Sequence, residues 1–226
     1  MKIIKYGIIL SRIREEDIET VRNWRNDPVV VANYEFREYI TPEMQKAWFE
    51  SISNIHNIYT IIEYNGEQVG VVNLKHIDWE KQTGEGGIFI PDRRHHETPV
   101  PSIVTFMTTE LMMDLFRFSE ARAHVLRDNK PNQAFVKQLG YELVPGQESA
   151  GNQEYRLTRE RFDACAPKIR KAITVLTGDD SPVRFVVEPH DSGDELVRLL
   201  EESIKTKPGV KLLQDSAAGR IYAISY

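Results

Sequence analysis

Residues 59–74 read YTIIEYNGEQVGVVNL. β-Branched and aromatic residues fill two runs of this stretch, Tyr59 to Tyr64 and Gln68 to Leu74, and such runs are typical of β-strands. Asn65-Gly66 separates the two runs and favours the two-residue turn of a hairpin. A third run, Gly87 to Ile90, follows a polar loop. The sequence therefore predicts three successive antiparallel strands in the first half of the chain.

Strand and helix signals precede these three strands. Ile8 to Leu10 predicts a short strand. The acidic residues after it begin a helix that should end near Asn26, because Pro28 cannot continue it. Thr41 followed by Pro42 begins a second helix, since threonine caps the first turn and the missing N–H of proline is not needed there.

Helices and strands alternate in the next part of the chain. We expect helices at Ser102 to Phe118 and Asn132 to Leu139, and strands at Arg122 to Leu126, Tyr141 to Val144 and Glu154 to Leu157. Few small folds combine three consecutive antiparallel strands with a strand-helix-strand-helix continuation of this kind. The element order is therefore informative about the fold.

From Arg170 onward the pattern restarts. We predict strands at 172–176, 183–187, 210–213 and 220–225, a turn at 179–182, and a helix opened by Ser192 with Glu195 as its capping-box partner. We therefore divide the chain into a first domain, residues 1–169, and a small α+β domain, residues 170–226.

Composition limits the classes of function. The 226 residues are 41% hydrophobic, which allows one moderate core and a small appendage. The net charge of −5 gives no broad basic surface, so we expect no nucleic-acid partner. No stretch is long and apolar enough to span a membrane, and we expect no membrane partner. Cys165 is the single cysteine, which excludes an internal disulfide and favours a reducing, cytoplasmic compartment.

Three strings in the correct order resemble the GNAT acetyltransferase family. They are LSRIREEDIETVRNWRNDP from Leu10 to Pro28, EGGIFI from Glu85 to Ile90, and DNKPNQAFVKQLGYEL from Asp128 to Leu143. The resemblance covers about residues 7–160, and it is strongest to enzymes that act on ribosomal-protein N-termini or on amino groups of nucleotide-linked sugars. It implies an α+β GNAT fold, in which helices flank a mixed, largely antiparallel central sheet.

The resemblance also implies acetyl-CoA as the co-substrate. In this family pantetheine hydrogen-bonds the exposed edge of the central strand, which here would be Ile88, Phe89 and Ile90. A backbone N–H of that strand can polarise the acetyl carbonyl. The other interpretation is that these three residues simply fill the sheet, and both hold together if the backbone binds while the side chains pack.

The phosphate loop departs from the family pattern. If His96 takes the first position of that pattern, Pro99 and Pro101 replace its two glycines, and two N–H donors are lost. Residues that could still hold the pyrophosphate are the backbones of Thr98, Val100 and Ser102 and the side chains of Arg93, Arg94, His95 and His96. The loop is thus either a modified phosphate site or an inactive remnant.

Candidate catalytic residues follow from the need for a neutral amine. Glu85, at the start of the central strand, is the first candidate for a base, with His76 and Asp78 as second choices. Asn129 occupies a position where the family often places an asparagine facing the cofactor, although it could also be a turn residue before a proline. Val136 stands where many members have a tyrosine that protonates the leaving thiolate.

On the acceptor side, Arg25 and Asn26 end the first helix, where the family commonly binds the acceptor, and His76 is a further candidate. Trp24 continues an apolar stripe and is expected in the core. His56, His124 and His190 show no ligand spacing, and we expect no metal.

The sequence is compatible with three functions. The first is acetyl-CoA-dependent transfer to a primary amine, either of a small molecule such as an amino sugar nucleotide or of a protein N-terminus, with a homodimer as one assembly to consider. The second is a catalytically silent GNAT-like binding module with a degraded phosphate loop. The third places the functional centre in the C-terminal residues.

Overall fold

The computed structural model describes residues 1–225. Its strands are β1 (Lys2–Lys5), β2 (Ile8–Arg12), β3 (Ile58–Tyr64), β4 (Glu67–Asp78), β5 (Thr83–Phe89), β6 (Glu120–Leu126), β7 (Glu142–Leu143), β8 (Asn152–Thr158), β9 (Val183–Val187), β10 (Val210–Ser216) and β11 (Gly219–Ile224). Its α-helices are α1 (Ile18–Arg25), α2 (Pro28–Val31), α3 (Pro42–Ile52), α4 (Val100–Glu110), α5 (Lys130–Gln138), α6 (Arg159–Thr177) and α7 (Glu195–Lys205).

One sheet holds all eleven strands, in the order β10-β11-β9-β1-β2-β3-β4-β5-β6-β8-β7. Every neighbouring pair is antiparallel except β5 and β6, which run parallel. The mixed, largely antiparallel sheet flanked by helices confirms the predicted fold class.

Local signals in the sequence account for several elements. Asn65 and Gly66 turn the β3–β4 hairpin at φ 51° and 80°, the left-handed conformation that this pair tolerates. The Thr41 hydroxyl caps α3 by accepting from the Met44 N–H at 3.3 Å. Helix α1 ends at Arg25, as Pro28 predicted.

Two hydrophobic clusters lie on opposite faces of the sheet. The larger one contains buried residues of α4, α6 and α7, including Phe106, Phe162 and Leu200. The smaller one lies under α1 and α3, where Val21 and Ile52 pack against Ile61 and Val71 of the sheet. The side of the sheet under α1 and α3 is called the acceptor face below.

Helix α4 continues into a π-helical turn, Leu111–Leu115, in which the Phe116 N–H donates to the carbonyl of Leu111 at 2.9 Å. The long helix predicted from Ser102 to Phe118 is therefore present but begins two residues earlier, at Val100. In residues 1–225, no helix combines the length and apolar character that crossing a membrane requires.

The chain around residue 170 differs from the expectation. The strand predicted at 172–176 is wrong, because these residues belong to α6, which ends at Gly178 in the left-handed conformation (φ 67°). Ile173 is buried while Val175 is 77% exposed and Leu176 is 60% exposed. Helical packing of one face thus overrides the local β-propensity.

The C-terminal strands extend the same sheet through β1. Ile3 of β1 lies opposite Leu10 of β2 on one side and Phe185 of β9 on the other. Helix α7 is capped by Asp194, whose carboxylate accepts from two backbone N–H groups, and the cap predicted at Ser192 is wrong. The division into domains at residue 170, which falls within α6, stays a prediction.

Candidate functional site

Strands β5 and β6 part to form an opening in the middle of the sheet. Their parallel pairing runs from Thr83 opposite Glu120 to Gly86 opposite Ala123 and then stops. On its other side β5 stays paired with β4 as far as Phe89. The backbone of β5 beyond Gly86 therefore has an edge toward β6 that pairs with no strand of the described residues. This edge includes two of the predicted cofactor contacts, Ile88 and Phe89, and Ile90 follows directly after the strand.

The loop after β5 uses much of its own hydrogen-bonding capacity. The Thr98 N–H donates to the carbonyl of His95 at 3.2 Å, and the Val100 N–H donates to the Thr98 hydroxyl at 3.3 Å. The Ser102 N–H, in the first turn of α4, has no partner within residues 1–225. Of the three predicted backbone donors, only this one is unused, and it lies at the positive end of the helix dipole.

The basic side chains of this loop are partly engaged as well. Arg94 pairs with Asp92 at 2.6 Å, whereas Arg93 is exposed and forms no ion pair within the described part of the chain. The Nε2 atom of His96 lies 2.7 Å from the Ile90 carbonyl oxygen, so the imidazole ties the loop to the end of β5. His95 is half-buried, and its backbone N–H bonds to the carbonyl of Asp92.

Glu85 lies at the foot of the opening, with three basic groups around it. Its side chain is 12% exposed, and its carboxylate is 2.9 Å from Lys75 Nζ, 3.1 Å from His124 Nδ1 and 3.4 Å from His76 Nδ1. Burial raises the pKa of Glu85, but Lys75 and His124 outweigh burial and hold it below its ordinary value. The carboxylate is therefore ionised at neutral pH. His124 was not among the predicted site residues, because no sequence spacing links it to Glu85.

A polar row crosses the acceptor face beside Glu85. Tyr59 of β3 lies opposite Asn73 of β4, which lies opposite Gly87 of β5. The Asn73 side chain lies close enough to the Tyr59 phenol to offset part of the rise that burial gives its pKa. A Cβ atom on Gly87 would lie 2.6 Å from Asn73 Oδ1, so only glycine lets this amide rest over β5 at the opening. Sequence reasoning missed both Tyr59 and Asn73.

The comparisons with known proteins agree with this geometry. The family described as acetyltransferase (GNAT) domain matches residues 8–142, which is more than half of the chain. The chain belongs to the GNAT acetyltransferase family. In the comparison with curated proteins, no sequence matches.

Solved structures share the GNAT fold at low identity. A domain from Methanocaldococcus jannaschii is 20% identical with a TM-score of 0.59, and the match covers 67% of this chain and 97% of that one. Spermidine N-acetyltransferase from Vibrio cholerae, in complex with CoA and spermine, is 12% identical with a TM-score of 0.62, over 69% and 98% of the two chains. A dodecameric structure of that enzyme is 12% identical with a TM-score of 0.56, over 69% and 96%.

Two positions singled out by the GNAT resemblance have structural roles here. Asn129 caps α5 by accepting from the Asn132 N–H at 3.2 Å, and its amide donates to Asn33 Oδ1 at 2.9 Å. Val136 is buried in α5 with 5% exposed, so it only packs. The bond to Asn33 joins α5 to the segment after α2, which faces β5 through an edge-to-face contact between Tyr34 and Phe89.

The predicted acceptor residues divide into three cases. The Asn26 side-chain amide donates to the Ile40 carbonyl at 2.9 Å and accepts from the Ile40 N–H at 2.8 Å, so it anchors the α2–α3 segment. His76 is 73% exposed beside Glu85, and His76 has a positive φ of 53°. Arg25 points its guanidinium over the Trp48 ring, 5.0 Å from the ring centroid, on the acceptor face. Trp24 packs against the smaller hydrophobic cluster as expected.

An acidic cluster lies far from this opening, at the other end of the sheet. Ligand atoms of Glu188, His190 and Asp191 lie within 4.8 Å of one another, which is compatible with a metal ion. Glu188 is already bonded to Lys2 and Arg14, both at 3.0 Å. We therefore interpret the cluster as ion pairing between β1–β2 and the C-terminal residues.

A cavity of about 230 Å³ lies next to this cluster, between α7 and β11. Its wall contains the Glu201–Arg220 pair, in which two guanidinium nitrogens contact the two carboxylate oxygens. Lys205 also lies 3.4 Å from Glu201. The cavity contains no residue of the parted strands, so we place the chemistry at the β5–β6 opening instead.

Proposed function

We propose that this protein is an acetyl-CoA-dependent N-acetyltransferase that acts on a primary amine. The observation that supports this most directly is the parting of β5 and β6 with an ionised, half-enclosed carboxylate, Glu85, at its foot. Bound acetyl-CoA would supply the acetyl group as a thioester. The residues of this chain would bind the cofactor, orient the acceptor and accept the proton of the amine.

The backbone of β5 is suited to bind the extended arm of the cofactor. From Gly87 to Phe89 the edge toward β6 pairs with no strand within residues 1–225 and can hydrogen-bond an added strand-like ligand. A backbone N–H at this edge can donate to the developing oxyanion. The residues present therefore fit the pantetheine part of the cofactor.

Glu85 receives the acceptor amine in this proposal. An ionised carboxylate attracts the incoming ammonium group, and it can take the proton directly or through water as the amine attacks. Its lowered pKa makes it a weak base, so we expect its orienting and electrostatic part to be large. Asn73 and Tyr59 lie beside it and would position the acceptor.

The phosphate end rests on fewer donors than in the usual glycine pattern. The Ser102 N–H, the dipole of α4 and Arg93 remain available. We propose that the two prolines hold this loop in its binding conformation. The variant Pro99→Gly/Pro101→Gly should then bind CoA roughly tenfold more weakly, because two flexible residues must be ordered. Tighter binding at an unchanged melting temperature would identify the loop as a degraded one.

The acceptors that the proposal covers are amines of small molecules and of protein N-termini. Spermidine N-acetyltransferases among the similar folds take amine substrates, which favours a small-molecule amine, and one of them forms a dodecamer, which makes self-association of this chain worth measuring. The resemblance to sugar-nucleotide and ribosomal-protein enzymes adds an amino sugar and a protein N-terminus to the acceptors that should be screened. The family match and the intact opening disfavour a silent binding module.

The test begins with calorimetric titration of acetyl-CoA, followed by a screen of amines with detection of the released CoA thiol. Glu85→Gln should lower kcat by roughly 10²- to 10⁴-fold and leave acetyl-CoA affinity nearly unchanged. Absence of binding at millimolar acetyl-CoA would overturn the proposal. Binding without turnover of any amine would support the silent module instead.

A further inference from the structure

Arg25 is a partly buried charged residue of the acceptor face with no counter-ion among residues 1–225. Its guanidinium donates to Gln45 Oε1 at 3.3 Å and stacks on Trp48, but it forms no ion pair with any residue from 1 to 225. Arg22, one turn earlier in α1, pairs with Glu19 at 2.9 Å. Most of the five N–H donors of Arg25 are therefore unused.

The surroundings of Arg25 make an unpaired charge costly. Burial lowers the pKa of Arg25, although an arginine stays protonated at any ordinary pH. Its electrostatic neighbours are the phenols of Tyr34 and Tyr59, which are neutral at pH 7. Both phenols have pKa values raised by burial, so neither can supply a negative charge. A partly buried guanidinium without a carboxylate is uncommon unless a ligand completes it.

A second, independent feature adjoins it. Gln45 of α3 is fully buried, and its Nε2 atom has no hydrogen-bond partner in the part of the chain that the structure describes. Its Oε1 atom is the acceptor for Arg25, so the unsatisfied donor belongs to the same group of side chains. Buried donors are normally satisfied, and one left open beside a free guanidinium indicates a missing acceptor oxygen.

Arg25 and Gln45 lie within reach of an acceptor bound at the β5–β6 opening. Arg25 stacks on Trp48, and the Trp48 ring contacts Tyr59 edge to face with the centroids 5.2 Å apart, so Tyr59 adjoins the Arg25 group. Tyr59 stands on β3, two strands from Gly87 on β5, and two strand spacings are about 10 Å. An acceptor that reaches from the opening toward α1 would place its amine near Glu85 and its far end near Arg25.

We propose that the acceptor carries an oxyanion, bound by Arg25 and the Gln45 amide, at the end opposite its reacting amine. The substrate class is then an amine with a remote carboxylate or phosphate rather than a di- or polyamine, whose second ammonium would meet Arg25 as a like charge. This inference rests on the proposed acetyltransferase function and names its substrate class.

The test compares acceptors that differ only at the far end. 5-Aminovalerate and 4-aminobutyl phosphate represent the two oxyanions, pentylamine is the neutral reference, and 1,5-diaminopentane is the cationic one. With the full chain, kcat/KM for at least one oxyanion series should exceed that of the diamine roughly 10- to 100-fold, the range expected for hydrogen bonds to a charged group. Which oxyanion leads decides between carboxylate and phosphate.

Variants assign the preference to the site. Arg25→Gln should remove most of the preference for the oxyanion acceptors, while kcat/KM for pentylamine changes little. Arg25→Lys should keep part of the preference, because lysine carries the charge but lacks the planar set of donors of a guanidinium. Lys46→Gln, on the exposed side of the same helix as Gln45, makes the same charge change and should leave the preference intact. Melting temperatures identify a variant that fails to fold, in which case Arg25→Lys carries the comparison.

The two levels of proposal fail differently. If acetyl-CoA does not bind or no amine is acetylated, the proposed function is wrong. If kcat/KM for pentylamine or the diamine equals that for the oxyanion series, the function stands and the oxyanion subsite is wrong. The same conclusion follows if Arg25→Gln and Lys46→Gln have the same acceptor preference.

Discussion

Replacing Arg170 by methionine should destabilise the fold in a way that depends on pH. Arg170 of α6 contacts Glu110 of α4 at 2.5 Å and Asp114 at 2.8 Å. Glu110 is fully buried, and burial raises its pKa although Arg170 opposes that rise. Without Arg170, the partner that remains for the buried carboxylate within residues 1–225 is the Tyr6 hydroxyl at 3.2 Å.

The structure sets the magnitude near the lower end of the usual range. Breaking a buried ion pair costs roughly 3–5 kcal/mol. Arg170 is 31% exposed and Asp114 retains Arg159 at 2.9 Å, so we expect about 3 kcal/mol at pH 8. A chain of this size loses roughly 2–4 °C of melting temperature per kcal/mol, which predicts a fall of about 6–12 °C.

The sign of the pH effect follows from the raised pKa. In Arg170→Met the folded state favours protonated Glu110 even more than the native protein does, so the folded state binds more protons than the unfolded state between the two pKa values. Stability of the variant therefore falls as pH rises through that window. The gap between variant and native protein should be largest at pH 8 and should shrink toward pH 5.

Urea unfolding and thermal scans at pH 5, 6.5 and 8 measure this gap. Glu110→Gln combined with Arg170→Met should recover all but about 1 kcal/mol, because no charge is then buried. Lys81→Met removes a pair of similar length to Asp78, but Lys81 is 79% exposed, so the loss should stay below about 1 kcal/mol. A loss for Arg170→Met as small as this control, or one independent of pH, would refute the reasoning.

Two further predictions concern the opening. Lys75→Met should raise the pKa of the Glu85 carboxylate, because Lys75 is the main group that lowers it. A ¹³C NMR titration measures this pKa, and an unchanged value would contradict the assigned cause. Gly87→Ala should push Asn73 aside and lower acetyl transfer by up to roughly 100-fold, whereas Gly86→Ala, whose Cβ meets only ordinary contacts from 3.6 Å, should not; equal losses in the two variants would exclude the steric explanation.

Elements that depend on local chemistry were predictable from the sequence. The Asn65-Gly66 turn and the Thr41 cap follow from residue types that favour one backbone conformation, and both are present. The resemblance to GNAT strings predicted the fold class, which is confirmed. Contacts with residues distant in sequence could not be predicted in this way, as with the Asn26 amide, which donates to the Ile40 carbonyl.

The polar row was hidden by one extra residue in β4. A regular two-residue hairpin through Asn65-Gly66 pairs Tyr59 with Val72. The register instead shifts at Ile62, and Asn73 comes to lie opposite Tyr59. A shift of one residue reverses the faces of a strand, so no reading of the alternation in β4 could have placed Asn73 on the acceptor face. The bulge depends on the packing of the whole sheet.

Strand β1 was missed for a different reason. Lys2–Lys5 and Ile8–Arg12 form a hairpin whose turn, Tyr6 and Gly7, has φ angles of 56° and 75°. The signal that could have revealed it is the glycine between two β-branched runs. The sequence analysis predicted a strand only at Ile8 to Leu10, and the strand before it, which joins the two ends of the sheet, was overlooked.

The position of β1 has a consequence for synthesis on the ribosome. Ile3 finds its partner Phe185 only after 182 further residues have been made, which takes roughly 10–40 s at the usual 5–20 residues per second. During that interval the nascent sheet of β1–β8 has β1 as an open edge that another chain could join. Lys2 and Lys5 stand one at each end of the strand, and lysines on an open edge disfavour its pairing with another chain.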